Sequence, residues 1–172
     1  NDRYSYSVPY RDMRMYEHLR QKYPLHSYER SAVILRDLRS VKSNIEVELT
    51  KRACEITRDA FVRVLKFTKP GVTEYEIEAE TTHEFLGQRS TGHAYSPIIA
   101  SGSNANVLHY IDNNQVCKDG DVILLDFGAE YANYNADMTR SIPVSGRFTK
   151  RQRDVYDAVL RVMKGAAAMI KA

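Results

Sequence analysis

Two acidic side chains, Asp126 and Asp137, stand in the run Leu124-Leu125-Asp126-Phe127-Gly128-Ala129-Glu130-Tyr131 and its continuation Ala132-Asn133-Tyr134-Asn135-Ala136-Asp137-Met138-Thr139-Arg140. Aspartate is disfavoured in strands, yet Asp126 follows four consecutive apolar residues, Val122-Ile123-Leu124-Leu125. If the two runs form a hairpin whose turn centres on Tyr131–Ala132, residues 126 and 137 lie directly opposite each other, with Cβ atoms about 5 Å apart on one face. Two carboxylates at that distance repel, and burying them is costly without compensating cations. Hard divalent ions prefer such oxygen ligands. If the turn centres one or two residues away, the carboxylates separate into ordinary solvated positions.

A histidine precedes this hairpin. His109 lies in Val107-Leu108-His109-Tyr110, a short apolar run. A lone histidine in such a run is more often structural, but one sharing a cavity with the two aspartates becomes a proton-transfer or oxyanion-stabilising group. Other signatures fail. Asp126-Phe127-Gly128 copies a kinase triplet, but no Gly-rich loop, Val-Ala-Ile-Lys or His-Arg-Asp accompanies it. His83-Glu84 begins a zinc-helix pattern that ends at Gly87, where a second histidine is required. There is no G-x-S-x-G elbow, and neither Cys54 nor Cys117 stands in a catalytic context. The basic cluster Arg147, Lys150, Arg151 and Arg153 reads as a solvated face.

The elements that must position these residues are legible in outline. Met13, Tyr16, Leu19 and Tyr23 repeat at helical spacing, predicting a short helix over Tyr10–Lys22, and residues 29–42 suggest another. Three capping boxes, Ser43–Glu46, Thr73–Glu76 and Thr149–Gln152, each announce a helix. The first carries an apolar stripe of Ile45, Leu49, Ala53, Ile56, Ala60, Val64 and Leu65 and stops at Pro70-Gly71. The second runs to about Gln88, and the third carries apolar pairs from Val155/Tyr156 to Met169/Ile170. Between the second and third lie β-rich runs at Tyr95–Ala100, Val107–Tyr110, Val122–Tyr131 and Tyr134–Val144. The order implies an α+β fold, with helices packed on a mainly antiparallel sheet.

Composition bounds the function classes. The chain has 172 residues, 43% of them hydrophobic, which suffices for a core. A net charge of +3 is too small to propose a nucleic-acid or membrane-surface partner. No apolar run approaches the ~20 residues of a membrane helix. Two cysteines exclude a disulfide framework. With no apolar signal core at the start, the expected compartment is cytoplasmic.

Taken together, several blocks resemble the pita-bread metallopeptidases, most closely the Xaa-Pro aminopeptidases (aminopeptidase P), with prolidases as near relatives. They are Val41-Lys42-Ser43, Lys69-Pro70-Gly71-Val72-Thr73-Glu74, Ala100-Ser101-Gly102-Ser103-Asn104-Ala105-Asn106 with Val107-Leu108-His109-Tyr110, Gly120–Tyr131, Ala136–Arg140 and Pro143–Thr149. The resemblance implies that Asp126 ligates one metal ion, that Asp137 bridges two, and that His109 assists at the scissile peptide without ligating metal. It implies two divalent ions, most often Mn2+, with Zn2+ or Co2+ as alternatives, holding a water that attacks the carbonyl before proline. The substrate class is then a proline-containing peptide. Prolidase-type or methionine-aminopeptidase-like specificity, or a non-catalytic binding module, are the competing readings.

The family completes its site with one histidine and two glutamates from a second structural half. After Asp137 this sequence offers only Asp154 and Asp157. The expectation is therefore the first half of a pita-bread fold. Residues 29–172 would form the N-terminal half of the catalytic domain, and residues 1–28 a remnant of an upstream domain. Such a chain is expected to be inactive alone and to self-associate through the apolar surface its second half would cover.

Overall fold

The computed structural model describes residues 10–170. Its contacts divide the chain into two compact units, residues 1–42 and 43–172.

In the first unit, α1 (Arg11–Lys22) and α2 (Ser31–Ser40) bury no residue. The segment after α1 folds back on itself: the Tyr28 hydroxyl donates to the carbonyls of Leu19 (2.7 Å) and Tyr23 (2.8 Å), and its ring meets Tyr16 edge-on.

In the second unit the three capping boxes all form. They start α3 (Asn44–Phe67), α4 (Glu74–Gly87) and α5 (Lys150–Met169). A cap is a purely local device, so its sequence signature survives any tertiary context. The α3 cap is also tied to the sheet. Glu46 accepts the Ser43 amide on Oε2 and the Tyr134 hydroxyl (3.1 Å) on Oε1.

The buried face of α3 comprises Ala53, Ile56, Thr57, Ala60 and Val64. Two positions expected in that stripe, Ile45 and Leu65, are exposed. Leu65 follows Val64 by a single residue, which turns it about 100° around the helix and off the face.

Among the described residues six short strands make two antiparallel sheets. One has the order β1 (Gly92–His93), β4 (Ala129–Tyr131), β5 (Tyr134–Asn135); the other β2 (Ile98–Ser101), β3 (Val122–Phe127), β6 (Met138–Pro143). The α+β, antiparallel expectation holds. A single long hairpin serves both sheets: β3 continues into β4 through Gly128, and β5 into β6 through Ala136-Asp137. The strands cross closely there. A Cβ on Gly128 would sit 1.8 Å from the Ala136 carbonyl oxygen, so only glycine permits the approach.

The core lies between the sheets and the α3/α4 pair. Ile123, Leu125 and Phe127 point into it from β3 and meet Ile56, Ala60, Ile77 and Phe85. Burying each large side chain stabilises the fold by about 1.5–3 kcal/mol. Phe85 sits edge-to-face with Phe127 and with His93. Thr57 ties helix to sheet: its hydroxyl accepts the Ala129 amide and donates to the Ala53 carbonyl, both at 2.9 Å.

Two expectations need correction. Val107–Tyr110 is not a strand. A 3-10 helix at Gly102–Asn106 leads into a turn, and His109 adopts a left-handed φ of 54° that no strand accommodates. The hairpin turn centres on Ala132-Asn133, one residue beyond the expected place, with left-handed φ values of 51° and 68°. Those angles give the right-handed twist a two-residue hairpin requires. The apolar pairs of α5, by contrast, form the expected helix and bury nothing among the described residues. Val155, Tyr156, Val159, Leu160 and Met163 instead line an open groove with Phe148 and Val122. Periodicity names a face but not what covers it.

Candidate metal centre

Strand β3 alternates cleanly. Ile123, Leu125 and Phe127 are fully buried, while Val122, Leu124 and Asp126 lie half-exposed on the other face. Asp126 therefore points away from the apolar core. In the observed register its partner is Thr139, not Asp137. Shifting the centre of a hairpin by one residue moves every partner by two, and a shift of two preserves the face. Asp137 thus becomes a diagonal neighbour of Asp126 on the same face, a geometry still within reach of long side chains. The expected direct opposition is corrected: Asp137 is exposed and Asp126 half-exposed, as the competing reading of a shifted turn has it, yet the two carboxylates stay close enough to share one partner.

Tyr95, just before β2, makes the juxtaposition visible. Its hydroxyl lies 2.6 Å from Asp126 Oδ1 and 3.1 Å from Asp137 Oδ1. Burial first, then the hydrogen bonds and charges of Asp126 and Asp137, push this phenol well above its usual range. It therefore remains a donor at neutral pH. One hydroxyl has one proton, however, and two carboxylates converge on it. Among the described residues neither aspartate forms an ion pair, and a hard divalent ion matches such oxygen donors. Two carboxylates are a partial ligand set. Among the described residues no third His, Cys, Asp or Glu joins them.

His109 stands apart. It is exposed, on the turn after the 3-10 helix, and makes no hydrogen bond with either aspartate. Its segment is nonetheless firmly held. Glu74, the first residue of α4 and fully buried, accepts the Ser101 amide (2.7 Å) and Asn104 Nδ2 (3.2 Å) on Oε1. On Oε2 it accepts the Tyr110 hydroxyl (2.7 Å) and the Gln115 amide (3.0 Å). Four residues on, Glu78 accepts Asn113 Nδ2, and Asn113 in turn accepts the Ile99 amide and donates to the Pro97 carbonyl.

Sequence reasoning missed both Tyr95 and Glu74 as parts of this region. Tyr95 opened a predicted strand, and Glu74 stood only inside a capping box and a matching block with no role of its own. Their contacts reach across 27 to 42 residues, beyond any local pattern.

Residues 48–172 match metallopeptidase family M24. The Xaa-Pro aminopeptidase of Haemophilus influenzae is 39% identical over 137 residues, which cover 80% of this chain and 32% of that protein. Among solved structures, a variant of Escherichia coli aminopeptidase P in complex with substrate superposes with a TM-score of 0.80 at 37% identity, over 82% of this chain and 32% of that one. The zinc-substituted Escherichia coli enzyme in complex with product gives 0.76 at 39%, over 78% and 30%. The chain thus spans about a third of the length of these relatives. Matched along most of its length in both sequence and backbone, the chain belongs to metallopeptidase family M24, with the pita-bread fold of aminopeptidase P as its structural likeness.

Proposed function

We propose that this chain carries part of the centre of a metal-dependent Xaa-Pro aminopeptidase, which removes the N-terminal residue preceding proline from a peptide. The observation that supports it is the convergence of Asp126 and Asp137 on the single hydroxyl of Tyr95. In this reading Asp126 would hold one divalent ion and Asp137 would be a ligand shared with a second, Mn2+ foremost, with Zn2+ or Co2+ as alternatives. When bound, such a pair supplies a water activated at neutral pH and stabilises charge developing on the peptide carbonyl. Tyr95 keeps its proton and fixes the orientation of both carboxylates. His109 donates an imidazole N–H toward the scissile peptide and remains off the metal.

The reading extends to organisation. Residues 29–172 form the N-terminal half of the catalytic domain, and residues 1–28 are a remnant of an upstream domain. The remaining ligands come from outside these residues, so the chain alone is inactive and binds metal weakly. Its apolar α5 groove drives self-association. The compartment is cytoplasmic. The test is a full-length protein carrying this chain, assayed on Xaa-Pro peptides with Mn2+. Cleavage is expected, with Asp126→Asn lowering kcat/KM by at least roughly a thousandfold, the scale of losing a dominant electrostatic group. Failure to cleave any Xaa-Pro peptide, or full activity in the variant, refutes it.

A further inference from the structure

Glu74 is an unusual helix-starting acid. It is wholly buried, and its carboxylate carries four donors, two on each oxygen. That is the full acceptor capacity of an ionised carboxylate held without a cation. The α4 N-terminus favours its charge as well. A buried charge used merely to fill space could be replaced by apolar packing at no loss. Here every donor belongs to one segment, Ser101–Gln115, and that segment carries His109.

The ends of the segment are fastened at the same place. The Ser101 amide marks its beginning and the Gln115 amide its end. The Glu74 amide also donates to the Gln115 carbonyl (2.9 Å), and the Cys117 amide to the Val72 carbonyl (2.8 Å). Between these ends the side chains of Asn104, Tyr110 and Asn113 tether the segment to α4, and Tyr110 is the one adjacent to His109 in sequence. Its hydroxyl is pushed up to about 12, first by burial and then by Glu74, so it stays protonated and donating. His109 itself is held at a φ of 54°, a left-handed conformation that a histidine keeps only where its surroundings impose it.

We infer that Glu74 is a positioning residue for His109, acting through Tyr110 and the backbone of residues 101–115, and that the role demands a carboxylate. The inference rests on the role proposed above for His109. An amide at position 74 keeps the volume but turns one oxygen into a donor. It then faces two N–H or O–H groups, and that half of the fastening opens.

The full-length protein tests this with Glu74→Gln and Tyr110→Phe, each made alone and in a His109→Ala background. In the wild-type background each lowers kcat by about tenfold to a hundredfold with KM little changed, the scale of a misplaced group. In the His109→Ala background each costs less than about twofold, because the group being positioned is gone. Equal losses in both backgrounds overturn the inference, since a merely structural role ignores His109. Tyr110→Phe deletes one oxygen and keeps the ring, so it carries the comparison if Glu74→Gln does not fold. Silence of His109→Ala itself overturns the role of His109 and the inference with it, a different failure from equal losses. Hydrogen exchange gives a reading that needs no activity: both variants speed exchange across residues 101–115 while β3 stays protected. Unchanged exchange in that segment overturns the inference.

Discussion

Replacing Gly128 by alanine tests whether the strand crossing places the two aspartates. Gly128 has no positive φ, so alanine suits its backbone and any penalty is steric. The added Cβ would lie 1.8 Å from the Ala136 oxygen, 2.5 Å from its carbonyl carbon and 3.1 Å from the Asp137 nitrogen. All three are backbone atoms, so no rotamer change relieves the clash. Reaching ordinary contact requires the strands to separate by roughly 1.5 Å, which ruptures the bond from the Ala136 amide to the Ala129 carbonyl (3.0 Å). Overpacking of this kind costs about 1–3 kcal/mol, and the lost hydrogen bond about 1 kcal/mol more. The sum, about 2–4 kcal/mol, predicts a Tm lower by roughly 5–15 °C for a chain of this size. Circular-dichroism melting measures it. Gly165, inside α5 with nothing within 4 Å of its Cβ position, is the control. Gly165→Ala should stabilise by up to about 1 kcal/mol. A Gly128→Ala protein melting within about 2 °C of the parent refutes the reasoning, for then the crossing tolerates separation.

Three further outcomes follow from the geometry. Thr57→Val leaves the buried Ala129 amide without its acceptor and should cost about 1–3 kcal/mol in urea unfolding; a neutral result would mean the strand finds another partner. Tyr95→Phe removes the hydroxyl shared by Asp126 and Asp137. Calorimetry on the full-length protein should show Mn2+ binding weakened about tenfold to a hundredfold, and unaltered affinity would remove Tyr95 from the site. Burial holds the His93 imidazole below its usual 6.5, with Glu78 opposing. The folded state then stays neutral where the unfolded chain takes a proton, so this stability is present above pH 6.5 and lost progressively as pH falls from there through the lower folded value. Urea midpoints of the parent should fall on acidification more steeply than those of His93→Leu, and parallel curves would contradict this.

How far the sequence could be read follows from the range of each determinant. The three caps were legible because donor and acceptor lie three residues apart. The hairpin was legible as a hairpin, but its register was not. Ala132-Asn133 adopts the left-handed pair of angles without the glycine that normally advertises it. Val107–Tyr110 was misread because strand propensity measures fit to a pleated surface, and here Val107 and Leu108 are exposed and meet none. The aspartates drew notice by their type and their spacing across the hairpin. Tyr95 and Glu74 did not, since nothing near them in sequence marks a tyrosine or glutamate whose partners lie dozens of residues away.

The double duty of Glu46 has a consequence for motion. One of its oxygens starts α3 and the other receives Tyr134 from the tip of the hairpin, 88 residues on. The first turn of that helix cannot fray without releasing the hairpin tip, nor the tip peel away without loosening the turn. Ends of helices and tips of hairpins ordinarily open on their own. Here the shared carboxylate couples them: opening either end costs a hydrogen bond held by the other, so the rim of the strand pair that carries both aspartates is tied to a helix terminus far away in sequence.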